Sequence, residues 1–271
     1  QMKILLNNND LNEALNNVSN LGFVPTMGSL HKGHLSLIKR SQKESDKTIV
    51  SIFINPNQFN NKKDYKKYPK NIDKDLSILK KLKVDFVYLP SNHHVYSSKR
   101  KFKITLNNKD KILCAKYRKG HFEGVIDVMD RLTKLIKPKK IFMGEKDFQQ
   151  LFLIKNYFKN RYNSKIIPCK TIRDNKKLAL SSRNLQLNNK DLTKARNLIK
   201  NLFSFKRKLK DRTKFNNLLK EKKIELKKIF KVNIEYLELR NIENLKISNK
   251  FHNSRLFVAY YINGTRLIDN I

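Results

Sequence analysis

Two histidines, His31 and His34, stand three positions apart in Met27-Gly28-Ser29-Leu30-His31-Lys32-Gly33-His34, just after the apolar run Leu21-Gly22-Phe23-Val24. An amphipathic helical pattern follows over 34–41. The first turn of a helix carries N–H groups without intrahelical partners and a partial positive charge, a combination suited to phosphate. Gly28 and Gly33 allow the backbone to come close to a bulky polar group. Residues three apart share one face of a helical turn, so both imidazoles can reach one phosphate. Strand, glycine loop, paired histidines and helix together predict a nucleotide site; the alternative is two solvated histidines at a loop end.

Further segments carry the same kind of chemistry. Ser51-Ile52-Phe53-Ile54-Asn55-Pro56-Asn57-Gln58-Phe59 reads as a buried strand ended by proline, which puts Asn55 and Gln58 at the rim of a crevice. Their amides donate and accept without charge and suit a hydroxyl and a carboxylate together, though turn asparagines are also common. In Gly144-Glu145-Lys146-Asp147-Phe148-Gln149-Gln150, the glycine permits close approach at a strand end, and Lys146 offers a point charge for phosphate oxygens. Asp147 is favoured at a helix start, and of Gln149 and Gln150 at most one faces the crevice. Leu180-Ser181-Ser182-Arg183 can grip a polyphosphate with a forked guanidinium, or its serines can cap a helix. Gly120-His121-Phe122-Glu123-Gly124 reads as a loop before a helix at 124–136, with His121 either touching a ligand or capping.

The elements that must position these residues alternate. Apolar runs of strand length occur at 21–24, 48–54, 85–89, 140–143 and 165–169, and helical spacing at 34–45, 72–82, 124–136 and 148–158. That alternation predicts an α/β, Rossmann-like parallel sheet with helices on both faces and a ligand crevice at the strand C-terminal ends. After about residue 174 the pattern changes to lysine-rich helices at 188–209 and 213–230 and strands at 232–239, 256–262 and 265–268. A sheet domain over 1–174 and a small α+β domain over 175–271 are therefore expected.

The chain has 271 residues and a formal net charge of +37, which raises nucleic acid as a partner. The lysines are spread along the whole chain, with abundant asparagine and isoleucine and only 7 glycines, the mixture an AT-rich genome imposes. No basic motif interleaved with aromatics is present, so no specific nucleic-acid partner is expected. No apolar run reaches membrane-span length and no signal-peptide layout opens the chain. With Cys114 and Cys169 lacking any pairing or metal spacing, the expectation is a cytoplasmic protein with no membrane partner.

His-x-Gly-His in this context resembles the adenylate-forming nucleotidyltransferases. With Val50-Ser51-Ile52-Phe53-Ile54-Asn55-Pro56, the Gly144–Leu151 segment and Leu180-Ser181-Ser182-Arg183-Asn184, the chain resembles the pantoate–β-alanine ligases essentially end to end. The resemblance implies a Rossmann-like domain with a smaller lid domain, a homodimer, and ATP, pantoate and β-alanine as substrates. It also implies a pantoyl-adenylate intermediate on the route to pantothenate. By position, Met27, Gly28, Ser29, Leu30, His31, Lys32, Gly33 and His34 match the ATP loop, with His34 as proton donor. Gly144, Glu145, Lys146, Asp147, Ile172, Leu180, Ser181, Ser182 and Arg183 match further nucleotide contacts. Gln58 and Gln150 match the pantoate glutamines, Gln58 also meeting β-alanine. Mg2+ is implied with ATP, and Asp75 matches a carboxylate near the metal.

Three departures stand out: Lys74 where an acidic residue usually precedes Asp75, Asp127 for a threonine, and Lys176-Lys177 for Asp-Gly, where Asn175 is expected to share the turn. A nucleotidyltransferase acting on a phosphate acceptor is the nearest rival, but such an acceptor calls for cations where Gln58 and Gln150 stand. A basic nucleic-acid-binding protein that kept the fold is the rival from another class; intact His31, His34, Lys146 and Arg183 weigh against it.

Overall fold

The computed structural model describes residues 1–59, 62–98, 103–209 and 215–271. The chain packs as two compact units, Gln1–Glu145 with Gln150–Lys170, and Lys146–Gln149 with Thr171–Ile271.

The first unit is built on six strands: β1 Lys3–Leu5, β2 Leu21–Thr26, β3 Lys47–Ile52, β4 Phe86–Tyr88, β5 Lys140–Gly144 and β6 Lys165–Cys169. All pair in parallel, in the order β1-β4-β3-β2-β5-β6. The five apolar runs are the five strands β2 to β6. β1 was not expected: it is three residues long with only Leu5 buried, too short to carry a pattern. β3 ends at Ile52 rather than 54, although Phe53 N–H still donates to the Thr26 carbonyl.

Phe23, Val24, Ile49, Val50, Val87, Ile141 and Phe142 are fully buried, the continuous apolar lining of a sheet covered on both faces. Each contributes on the order of 1.5–3 kcal/mol. The helix Lys32–Glu44 turns Leu37, Ile38 and Ser41 inward, and Leu37 and Ile38 pack with Val24, Val50 and Phe142. This contact fixes the helix N-terminus at the end of β2. The strand order reverses between β2 and β5, and such a switch point opens a crevice at the strand C-terminal ends.

One local expectation is corrected. The helix expected at 124–136 runs over His121–Ile136, so residues 121–123 belong to it rather than to a preceding loop. Gly120, at φ 79°, makes the turn in one residue, and His121 and Phe122 are buried at once.

The second unit holds the helices Asn189–Leu209 and Phe215–Phe230 and an antiparallel sheet of β7 Asn233–Asn241, β8 Ser254–Ile262 and β9 Thr265–Asn270. Residues 213 and 214 of the expected second helix lie outside the described residues. Leu198, Ile199, Leu202 and Leu226 pack against Leu239, Leu256 and Val258 in one core. Asn263 and Gly264, at φ 45° and 76°, form the two-residue turn that joins β8 to β9. Cys114 and Cys169 are buried and make no disulfide. Among the described residues, no helix is long and apolar enough to cross a membrane.

Candidate active site

The loop after β2 is held from within. Thr26 Oγ1 donates to the Ser51 carbonyl (2.7 Å) and accepts from Gly28 N–H (3.2 Å). Gly28 at φ 81° and Ser29 at φ 51° turn the chain, and a Cβ at Gly28 would stand 2.9 Å from Asp75 Oδ2. Asp75 is 2% exposed, and its two oxygens accept from Ser29 N–H and Leu30 N–H, each at 2.8 Å. The carboxylate thus clamps two successive peptide groups of the loop.

His31 is the N-cap of the helix Lys32–Glu44, and His34 lies in its first turn. Gly33 N–H donates to His31 Nδ1 (3.1 Å) and His31 N–H to His34 Nδ1 (3.3 Å). Backbone N–H groups can only donate. Each Nδ1 is therefore an acceptor, and each neutral ring, so assigned, carries its hydrogen on Nε2. The ring centroids are 4.1 Å apart, which gives a pair of Nε2–H donors at a helix N-terminus. Gly33 also has a second reason to be glycine: a Cβ there would lie 2.7 Å from His31 Cε1.

The amide segment after β3 differs from expectation in that Asn55 and Gln58 are both buried. Asn55 is 1% exposed and does not stand at a rim. Its Oδ1 accepts from Asn57 N–H (3.1 Å) and the Tyr96 hydroxyl (2.8 Å), and its Nδ2 donates to the Gly124 carbonyl (3.1 Å) and Gln58 Oε1 (3.3 Å). Gln58 Nε2 in turn reaches Met27 Sδ at 2.9 Å. Gln58 and the histidine loop therefore meet within the first unit. Burial, its largest influence, pushes the Tyr96 phenol above its ordinary pKa, which keeps it a donor to Asn55. Asp127, one of the departures, holds Arg131 (3.0 Å), whose guanidinium lies 4.7 Å from the centre of the Tyr96 ring.

Lys74 is exposed, both Asp75 oxygens serve the loop, and no cluster of three metal-ligating side chains occurs among the described residues. Asp75 acts here as a loop clamp.

At the end of β5 a Cβ on Gly144 would meet nothing within 4 Å, so the space beside this glycine is open. The chain continues through a 3-10 turn, Glu145–Asp147, into the helix Phe148–Phe158. Lys146 Nζ lies 3.4 Å from Asp147 Oδ1, and the Lys146 carbonyl accepts from Asn270 Nδ2 (2.9 Å). Gln149 is buried and Gln150 half-buried, consistent with different directions for the two.

In the second unit, Ile172 and Leu180 are joined by a 2.9 Å backbone bond across a tight turn. Asp174 Oδ1 organises that turn by accepting from Lys176 N–H and Leu178 N–H. Lys177, not Asn175, takes the positive φ of 73°. Arg173 forks onto Asp269 at 2.6 and 2.8 Å, anchoring the turn to β9. Ser181 caps the 3-10 turn Ser182–Gln186 by accepting from Arg183 N–H, so the capping alternative holds for this serine.

A family model described as pantoate-beta-alanine ligase matches residues 3–271. The chain belongs to the pantoate–β-alanine ligase family. Within it, the pantothenate synthetase of Sulfurihydrogenibium sp. is 40% identical over 255 residues, covering 93% of this chain and 91% of the relative. That of Endomicrobium trichonymphae is 40% identical over 277 residues, covering 100% and 97%. The crystal structure of pantoate-beta-alanine ligase from Francisella tularensis, complexed with beta-gamma ATP and beta-alanine, aligns with a TM-score of 0.86 at 37% identity, covering 100% of this chain and 97% of that one. The Thermus thermophilus enzyme aligns with a TM-score of 0.92 at 30% identity, covering 100% and 99%. The family resemblance and the fold class read from the sequence are both borne out.

Sequence reasoning did not find Tyr96, the buried role of Asn55, or the task of His121 as a side chain bonded to Gln58. Only the Gly-His-Phe-x-Gly spacing hinted at the last, and it named no partner.

Proposed function

We propose that the chain condenses pantoate with β-alanine at the expense of ATP, yielding pantothenate, AMP and pyrophosphate. The observation that carries the reading is the pair of imidazoles at a helix N-terminus, each with Nδ1 occupied and Nε2 carrying the hydrogen. In the first step a pantoate carboxylate oxygen attacks the α-phosphorus of ATP and the bond to the β-phosphate oxygen breaks. In the second, the β-alanine amine attacks the acyl carbon of pantoyl adenylate, AMP departs with the carboxylate oxygen, and the amine loses a proton.

Such chemistry asks a protein for alignment and charge neutralisation rather than covalent help. The loop of residues 27–34 brings the two imidazoles and the helix N-terminus to the phosphates, and His34 donates from Nε2 to the leaving phosphates. Gln58 already uses one acceptor site on Asn55 and one donor on Met27, which leaves an N–H and a lone pair for pantoate and then β-alanine. Gln150 is the second pantoate amide. Gly144, Glu145, Lys146, Asp147, Ile172 and residues 180–183 are assigned to the nucleotide on their places in the family's motifs, Lys146 and Arg183 supplying positive charge. Mg2+ would accompany ATP and offset the triphosphate charge, with phosphate oxygens and water as its main ligands. On the same resemblance, residues 1–174 bind nucleotide and pantoate, 175–271 take the lid role, and the enzyme is a cytoplasmic homodimer. A solution mass twice that of the 32.1 kDa chain is the test of the dimer.

The activity is tested by pyrophosphate release from Mg-ATP with and without pantoate, before any β-alanine is added. A single-turnover burst that needs pantoate, followed by steady AMP production once β-alanine is present, is the expected result. No pantoate-dependent pyrophosphate would refute the reading. His34→Ala is expected to slow adenylate formation by about a hundredfold or more.

A further inference from the structure

We propose that His121 is a positioning residue that sets the pantoate-binding amide of Gln58 through the Gln58 backbone carbonyl. The proposal rests on the pantoate reading of Gln58 given above.

Gln58 closes a 3-10 turn of only three residues, Pro56–Gln58. Such turns have poor internal geometry. The backbone bonds of this one are long: Gln58 N–H to the Asn55 carbonyl at 3.4 Å and Phe59 N–H to the Pro56 carbonyl at 3.2 Å. His121 Nδ1 lies 2.7 Å from the Gln58 carbonyl, the shortest of these contacts and one made from 63 residues away.

The imidazole's state follows from its partners. A carbonyl can only accept, so Nδ1 carries the hydrogen; a guanidinium can only donate, and Arg118 NH1 stands 2.8 Å from Nε2. Arg118 therefore holds His121 in the tautomer that donates to Gln58, the reverse of the tautomer assigned to His31 and His34. Steric pressure acts in the same place. A Cβ at Gly124 would be 2.3 Å from the Asn57 carbonyl oxygen and 2.9 Å from Gln58 Cα, so the turn lies directly on the start of the helix His121–Ile136. Asn55 fixes the far end of the Gln58 side chain and His121 fixes its root.

Two substitutions separate this role from simple packing. The amide N–H of asparagine overlies Nδ1 of histidine, whereas that of glutamine reaches toward the Nε2 position. His121→Asn keeps the bond to Gln58 and is expected to leave the pantoate half-saturation of the pyrophosphate-release reaction within about threefold of the starting enzyme. His121→Gln loses the bond and is expected to raise it about ten- to hundredfold, with the ATP half-saturation unchanged. Equal impairment in the two variants, by unfolding or by kinetics, overturns the proposal, as does a rise in the ATP requirement alongside that for pantoate, or no effect in either. Absence of pantoate-dependent pyrophosphate in the unmodified enzyme would instead refute the activity itself.

Discussion

Asp75→Asn places two readings of one carboxylate in opposition. Asp75 is 2% exposed and accepts from Ser29 N–H and Leu30 N–H at 2.8 Å each. Hydrogen bonds to a charged acceptor contribute about 1.5–3 kcal/mol each, and a neutral one about 1 kcal/mol. Asparagine keeps one oxygen, so one bond survives in weaker form while the other N–H faces an NH2 donor. The loop conformation loses roughly 2–4 kcal/mol, after allowing for some relaxation. Because ATP would bind only the ordered loop, its half-saturation is expected to rise about 30- to 1000-fold, a factor of ten for each ~1.4 kcal/mol. The assay is pyrophosphate release with ATP varied at saturating pantoate, repeated over a wide range of Mg2+. A loop clamp predicts no recovery with added Mg2+, since the lost bonds are to peptide groups. Recovery of the original ATP requirement at high Mg2+ would show the carboxylate acting through the ion. An unchanged ATP requirement at ordinary Mg2+ would show that the clamp does not matter to binding.

Other substitutions bear on neighbouring parts of the structure. Gly33→Ala puts a Cβ 2.7 Å from His31 Cε1, so activity is expected to fall about tenfold while the melting temperature holds or rises, alanine being the better helix former. Gly124→Ala must displace the Asn57 carbonyl by about 1 Å, an overpacking of roughly 1–3 kcal/mol; urea unfolding should register it, and the pantoate requirement should rise before that for ATP. Lys177→Gly relieves a residue at φ 73° and should stabilise the protein by about 0.5–1 kcal/mol, the left-handed strain less the extra chain entropy of glycine. A loss of stability there would mean that the Lys177 contact with the Phe203 ring, at 5.0 Å, outweighs the strain. Burial pushes the Tyr88 phenol up to about 12 from 10.0. The folded state then holds this proton more tightly than the unfolded chain, so the stability is intact below pH 10 and drains away between pH 10 and about 12. Melting temperatures across that range should fall less steeply in Tyr88→Phe than in the unmodified protein.

Much of this protein was legible because its signals are local. Short apolar runs such as Phe23-Val24 and Ile49-Val50 suit strands buried on both faces, and their alternation with helical spacing leaves a parallel sheet as the economical arrangement. Glycines and paired histidines between a strand and a helix marked a candidate nucleotide loop for the same reason, since the residue types and their scaffold lie within a dozen residues. The sequence by itself determined the sheet, the loops that follow its strands, and the residue types offered there. Tertiary structure alone decided which of those residues are held and by what. Asp75 meets Ser29 across 46 residues and His121 meets Gln58 across 63, and neither partner leaves a periodic trace in the other's segment. A carboxylate in an amphipathic helix reads the same whether it is solvated, binds a metal or clamps a loop. Its role is set by which unpaired N–H groups the packing brings within 3 Å, and that depends on the whole sheet having formed.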